Sequence, residues 1–179
     1  MELKKNQLIT LHIDAVSSNG SGIGRYKEEG DSDREGKGLA VFVPFTAIGD
    51  QITCRIVKVE KNLAYGKIEE LLLPSLDRMP QQEREKDCSA FGRCGGCSWR
   101  HVTYEAELSY KWRQVADAVR RIGGVNVEPL PIVSCNNPDH YRNKAQYPVV
   151  QGEHRLLVGF YAPRSHRLVE ERNCRLQPE

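Results

Sequence analysis

Four of the six cysteines in this chain restrict its fold more than any other feature. Cys88, Cys94 and Cys97 lie in one short run, Cys-Ser-Ala-Phe-Gly-Arg-Cys-Gly-Gly-Cys, and Cys174 stands far downstream. Three thiols packed so closely along the chain are poorly placed to pair off as disulfides. They suit a single metal centre, with Cys174 as the fourth ligand. Thiolates are soft donors that select zinc, copper(I) or iron–sulfur clusters. Gly95 and Gly96 are expected to let the backbone turn sharply between the second and third ligands. A fold that satisfies all four must bring the C-terminal end of the chain back to its middle.

The spacing leaves two centres open. Structural zinc usually shows two Cys-x-x-Cys knuckles, and only Cys94 and Cys97 have that spacing here. One short cluster plus one remote cysteine is closer to a [4Fe–4S] arrangement, which is preferred over zinc. The other two cysteines carry less. Cys54 sits in an alternating strand and is expected to be a small core residue. Cys135 precedes a turn, Asn-Asn-Pro-Asp, with no base nearby, and is not assigned as a nucleophile.

The hydrophobic fraction of 39% and charged fraction of 28% fit a globular chain, and 179 residues suffice for one large domain or two small ones. No run is long enough to span a membrane, and Met-Glu-Leu-Lys-Lys-Asn lacks the apolar core of a signal peptide. Cysteines without a secretory signal point to a reducing compartment, so a cytoplasmic location is expected. A net charge of +2 does not by itself argue for a nucleic-acid partner.

Residues 7–71 read as a small all-β module. Ile9, Leu11, Ile13 and Ala15 alternate with polar residues, Leu39 to Val43 is a β-rich run, and Ile52, Cys54 and Ile56 alternate again. Tyr65 to Leu71 is a further strand. So many short strands in so little chain predict an OB-like barrel. The charged stretch from Tyr26 to Lys37 reads as a mobile hairpin tip, and Pro74 to Asp87 as a polar linker. The clearest helix runs from about Tyr104 to Ile122. Thr103 caps it, Glu105 and Glu107 suit its start, Arg120 and Arg121 suit its end, and Gly123-Gly124 stops it. Leu108, Trp112, Val115, Val119 and Ile122 form its apolar stripe. Strands return at Ala145–Val150, Leu156–Tyr161 and Leu168-Val169. The expected architecture is mainly β with an α+β part: a barrel over 1–73, then a cysteine segment, one long helix and an antiparallel sheet over 74–179.

Basic residues on the β-module, Arg55, Lys58, Lys61 and Lys67, are candidates for RNA phosphates, as are Arg142 and Lys144 in the segment Tyr-Arg-Asn-Lys. On charge alone an ordinary solvated face is the better explanation of the cations on the β-module, and the Tyr-Arg-Asn-Lys segment can equally be plain surface.

The run Cys88 to Tyr104, continuing Cys-Ser-Trp-Arg-His-Val-Thr-Tyr, closely resembles the iron–sulfur segment of the RNA 5-methyluridine methyltransferases. These enzymes methylate C5 of a uridine in ribosomal or transfer RNA with S-adenosylmethionine. Residues 7–71 resemble the family's TRAM domain, an RNA-binding barrel. Arg-Arg-Ile-Gly-Gly at the helix end, Tyr-Arg-Asn-Lys-Ala-Gln at 141–146, and Val-Gly-Phe-Tyr with Ser-His-Arg-Leu-Val and Cys over 158–174 follow in the family's order. The resemblance implies a [4Fe–4S] cluster on Cys88, Cys94, Cys97 and Cys174, and structured RNA, ribosomal 23S before transfer RNA, as the partner. The charged stretch 26–37 is longer than the family's usual hairpin.

The resemblance also implies a methyltransferase domain beyond Glu179, with the S-adenosylmethionine site and the nucleophile. No catalytic and no cofactor-binding residue is therefore assigned within 1–179, and these residues alone are expected to transfer no methyl group. Without that domain the helix stripe is expected to stay partly exposed or to pack on a neighbouring chain, giving self-association. The competing reading from another class is a stand-alone metal-dependent RNA-binding adaptor. An oxidoreductase finds no flavin or nicotinamide motif to support it.

Overall fold

The computed structural model describes residues 3–27, 38–171 and 173–178. From residue 28 on, the expected hairpin tip lies outside the described residues. The chain forms two compact units, one of residues 1–78 with 101–130 and the other of 79–100 with 131–179.

The first unit is built on five strands: β1 (Leu8–Val16), β2 (Gly22–Tyr26), β3 (Leu39–Val43), β4 (Gln51–Val59) and β5 (Leu63–Leu73). They close into a barrel in the order β1-β2-β3-β5-β4. All pairings are antiparallel except β3 with β5. A closed barrel thus stands where the alternation of apolar residues predicted one. That alternation is the cause: successive side chains of a strand point to opposite faces. Leu11, Ile13, Val41, Val43, Ile52, Cys54 and Ile56 all point inward and are buried. Gly66 makes room for one of them, since a Cβ at that position would lie 2.2 Å from the Cys54 sulfur. Cys54 is the core residue its strand position implied, and burial pushes its thiol up to about 11.

The stretch 74–87, expected as a linker, is in part a structural strap. Asp50 is fully buried at the turn before β4. Its carboxylate accepts from Ala47 N at 2.6 Å, Ser75 N at 2.9 Å, Arg78 Nε at 2.8 Å and Arg78 Nη2 at 2.7 Å. A buried charge is tolerated only when paired and fully hydrogen-bonded. That requirement draws Ser75 and Arg78 onto the barrel. The rest of the stretch includes a short helix, α1 (Gln81–Lys86), in the second unit.

The long helix, α2 (Tyr104–Arg121), has the expected caps: Thr103 Oγ1 accepts from Ala106 N at 3.2 Å, with Glu105 and Glu107 in the first turn and Arg120 and Arg121 in the last. Its placement differs from expectation. The sequence grouped it with residues 74–179, whereas it lies in the barrel unit. The face that seats there is Ala106 and Tyr110, both buried, continued by Gln114, which donates to Ser17 O at 2.9 Å. Tyr110 Oη donates to Asp77 at 2.6 Å and accepts from Ile48 N at 3.0 Å. The apolar stripe points the other way, because at 3.6 residues per turn Leu108, Trp112, Val115, Val119 and Ile122 fall opposite Ala106 and Tyr110. Val115 is 52% and Ile122 88% exposed. Polar anchors, not the stripe, decide which face of the helix is covered.

The second unit carries the cysteine segment and a three-stranded antiparallel sheet of β6 (Val149–Gln151), β7 (Leu156–Tyr161) and β8 (Leu168–Glu170), in that order. No helix among the described residues is long and apolar enough to cross a membrane.

Candidate metal centre and nucleic-acid interface

Within the second unit the four expected cysteines come together. Cys88, Cys94, Cys97 and Cys174 line one cavity, with Phe160 and Leu176 as apolar wall and Arg142 and Glu171 as its charged residues. The cysteine loop is shaped by its own backbone. Phe91 N donates to Cys88 O at 3.1 Å and Cys94 N to Ala90 O at 2.8 Å. Ala90 is fully buried against Ala162 and Val169, with Cys88 and Cys94 packed on the same cluster. Gly95 and Gly96 lie in the turn expected between Cys94 and Cys97, while the positive φ of the loop falls at Gly92. Gly95 is needed for closeness. Its N–H donates to Tyr161 O at 2.9 Å, and a Cβ there would stand 2.9 Å from that same oxygen. The loop is thereby laid against the end of β7. Gly96 N donates to the Cys94 sulfur at 3.3 Å.

An ionic frame holds the cysteine-bearing segments. Arg100 makes two bonds to Asp87 at 2.6 Å each and one to Asp139 at 2.8 Å. Arg175 reaches Asp139 at 2.9 Å and lies 3.7 Å from Asp87. Asp87 precedes Cys88 and Arg175 follows Cys174, so the frame ties the first of these cysteine segments to the last. Burial works against a charge on Asp139, but Arg100 and Arg175 outweigh it and hold its pKa below the ordinary range. None of these four charges was singled out by the sequence, because a charge pair so far apart along the chain leaves no local signal.

Two of the four thiols, Cys88 and Cys97, have pKa values raised chiefly by burial. Burial pushes Cys97 up to about 11; Arg100 pulls it down, while Cys174, Cys88 and Cys94 each push it further up. Cys88 is raised chiefly by burial, with Glu171 and Asp87 adding to the effect. Glu171 lies 3.9 Å from the Cys88 sulfur and accepts from Ser89 Oγ at 3.0 Å. The four thiols share a cavity without closing on one point: among the described residues no group of three or more His, Cys, Asp or Glu is set as metal ligation requires.

The basic candidates divide. Arg55, Lys58 and Lys67 lie on β4 and β5, with Arg55 opposite Lys67, and Lys61 lies in the turn between the strands. Arg55 is bound twice by Glu69, at 2.8 Å each, and Lys58 by Glu60 at 2.6 Å. These pairs raise both cations' pKa values, first through the hydrogen bond and then through charge. Lys61, Lys67 and Lys144 are exposed. Arg142 belongs to the second unit, where it lines the cysteine cavity and its backbone N–H donates to Leu176 O at 3.0 Å. Cys135 is exposed in its loop, its thiol donating to Asn137 O at 3.1 Å.

Residues 2–68 match the TRAM domain. Along almost the whole chain the sequence is similar to RNA methyltransferases. One from Clostridium tetani is 34% identical, covering 99% of this chain and 35% of the relative. One from Listeria monocytogenes is 36% identical, covering 99% and 36%. One from Synechocystis is 34% identical, covering 98% and 35%. The chain thus spans about a third of the length of the curated relatives it matches. Among solved structures it is similar to the Pyrococcus abyssi tRNA (uracil-54, C5)-methyltransferase in complex with S-adenosyl-L-homocysteine, with 22% identity and a TM-score of 0.49, covering 91% of this chain and 34% of that one.

Proposed function

We propose that these residues are the RNA-gripping and iron–sulfur portion of an S-adenosylmethionine-dependent RNA uracil-C5 methyltransferase acting on 23S ribosomal RNA. One observation carries the reading: relatives named as RNA methyltransferases align with both the barrel unit and the cysteine unit, not with the TRAM segment alone. The 23S target rests on the resemblance of the cysteine segment.

Chemistry at C5 of uracil requires the base to leave its stack, and an enzyme that extracts a base must hold the surrounding RNA while it does so. The barrel supplies cations for that hold: Lys58, Lys61 and Lys67 for phosphates, with Arg55 beside them. S-adenosylmethionine, when bound, supplies the methyl group; no residue of 1–179 is assigned to hold it or to attack the base.

The cysteine cavity fits an iron–sulfur cluster by its donor set. Four soft thiols line one cavity, an amide already donates to one sulfur, and the wall is largely apolar. Cys88, Cys94, Cys97 and Cys174 would be the ligands, and the cluster would link the middle of the chain to its C-terminal strands. Nothing assigns it a redox step.

The test is metal and sulfide analysis of anaerobically purified protein, with RNA binding measured across a salt series. About four irons and as many acid-labile sulfides per chain are expected. Affinity should fall steeply with salt and should favour 23S fragments over transfer RNA. Stoichiometric zinc without sulfide would remove the cluster. Salt-independent or absent RNA binding would remove the grip.

A further inference from the structure

The outer wall of the barrel carries two aromatic rings that its core does not use. The interior is already closed by Ile13, Val41, Val43, Ile52 and Ile56, all fully buried. Phe42 lies between inward-facing Val41 and Val43, and Tyr65 between inward-facing Ala64 and Gly66. The pleat therefore sends both rings outward. β3 and β5 run parallel with Phe42 opposite Tyr65, and the ring centroids are 5.9 Å apart, inclined at 36°. Both residues are half-buried.

Cations border the pair. Lys58 stands opposite Tyr65 across β4 and β5, and Lys67 follows Tyr65 by two residues on the same face. The Lys58 side chain is 65% exposed. A cross-strand aromatic pair is by itself an ordinary stabilising feature of a sheet. Ring faces flanked by ammonium groups have a further property: they complement an unstacked nucleotide, whose base has an apolar π-face and whose neighbouring phosphates are anionic. A paired helix keeps its base faces covered, so the complement is a single strand. The Lys58–Glu60 pair does not oppose this. Exposed ion pairs are weak in water, and a phosphate can take the place of the carboxylate.

We propose that Phe42 and Tyr65 form a stacking platform for an unpaired RNA base, with the flanking phosphates on Lys58 and Lys67. The platform rests on the RNA-binding reading and narrows it to single-stranded segments.

The test measures binding of a labelled single-stranded oligouridylate, and of the same strand in a duplex, to the 1–179 chain and to two double variants. Phe42→Leu with Tyr65→Leu is expected to weaken the single strand on the order of tenfold or more while leaving the salt slope and the duplex affinity unchanged. Lys58→Gln with Lys67→Gln is expected to reduce the salt slope for both. Photocrosslinking of the unaltered chain with an iodouridine strand serves if the leucine variant does not fold, and crosslinks at Phe42 or Tyr65 are expected. Unchanged single-strand affinity in a folded leucine variant, or crosslinks confined to other residues, would overturn the platform and leave the RNA reading standing. No binding of any RNA by the unaltered chain would overturn the reading beneath it.

Discussion

At the scale of single residues, the barrel unit is secured by groups whose charge state is set by burial. His101 is 2% exposed, and its Nε2 lies 3.1 Å from Thr46 O. A carbonyl only accepts, so Nε2 carries the proton and the ring is the neutral tautomer. Burial, against the bond to Thr46, lowers its pKa to about 4. An unfolded histidine titrates near 6.5. The unfolded chain therefore binds the extra proton first as pH falls. The stabilisation is complete above the unfolded pKa and is lost as pH drops through the folded one. Urea unfolding of the barrel unit should weaken by about 2 kcal/mol between roughly pH 7 and pH 5, and His101→Gln should flatten that slope. An unchanged slope in the variant would assign the acid sensitivity to the carboxylates instead.

At the scale of elements, α2 shows how polar contacts override an apolar pattern. Its stripe has helical spacing, yet Tyr110 and Gln114 bind the helix by the other side. Trp112 at least finds partners, its Nε1 donating to Leu130 O at 3.1 Å and Pro129 O at 3.3 Å. Val115, Ile122, Val125, Val127 and Leu130 stay exposed. Exposed apolar side chains in water favour association. The 1–179 chain is expected to self-associate as its concentration rises, and Val115→Lys with Ile122→Lys should return it to a monomer with unchanged helix content. Sedimentation velocity decides this; an unaltered chain that stays monomeric at high concentration would show the face to be inert.

At the scale of the whole molecule, the two units depend on different devices. The barrel has a closed sheet and a filled interior. The second unit has a three-stranded sheet, the ionic frame and the cysteine cavity. In the four-thiolate reading, metal binding supplies folding free energy only where the ligands lie. Cys174→Ser, or removal of the metal by a chelator, should raise amide exchange in β6–β8 and the cysteine loop by roughly an order of magnitude or more, with β1–β5 unchanged. Equal exchange with and without the metal would mean that the frame of Asp87, Arg100, Asp139 and Arg175 holds this unit alone.

What could be read from the chain by itself was whatever repeats at short range. The alternation of Ile9, Leu11 and Ile13, and of Ile52, Cys54 and Ile56, specifies strands because the pleat has a period of two. Thr103, Glu105 and Arg121 mark a helix because unpaired N–H and C=O groups at its ends need local partners. The cysteines stood out because their chemistry is rare and three of them lie close together, and the structure places Cys174 at the same cavity as those three. The tertiary structure decided everything that needed a distant partner: that Asp50 draws Ser75 and Arg78 onto the barrel, that α2 turns Tyr110 rather than Trp112 toward it, that Arg142 lies with the thiols, and that Phe42 and Tyr65 meet across parallel strands. Hydrogen bonds and charges act through space over a few ångströms. Their partners here stand tens of residues apart, and no periodicity along the chain records which of them will meet.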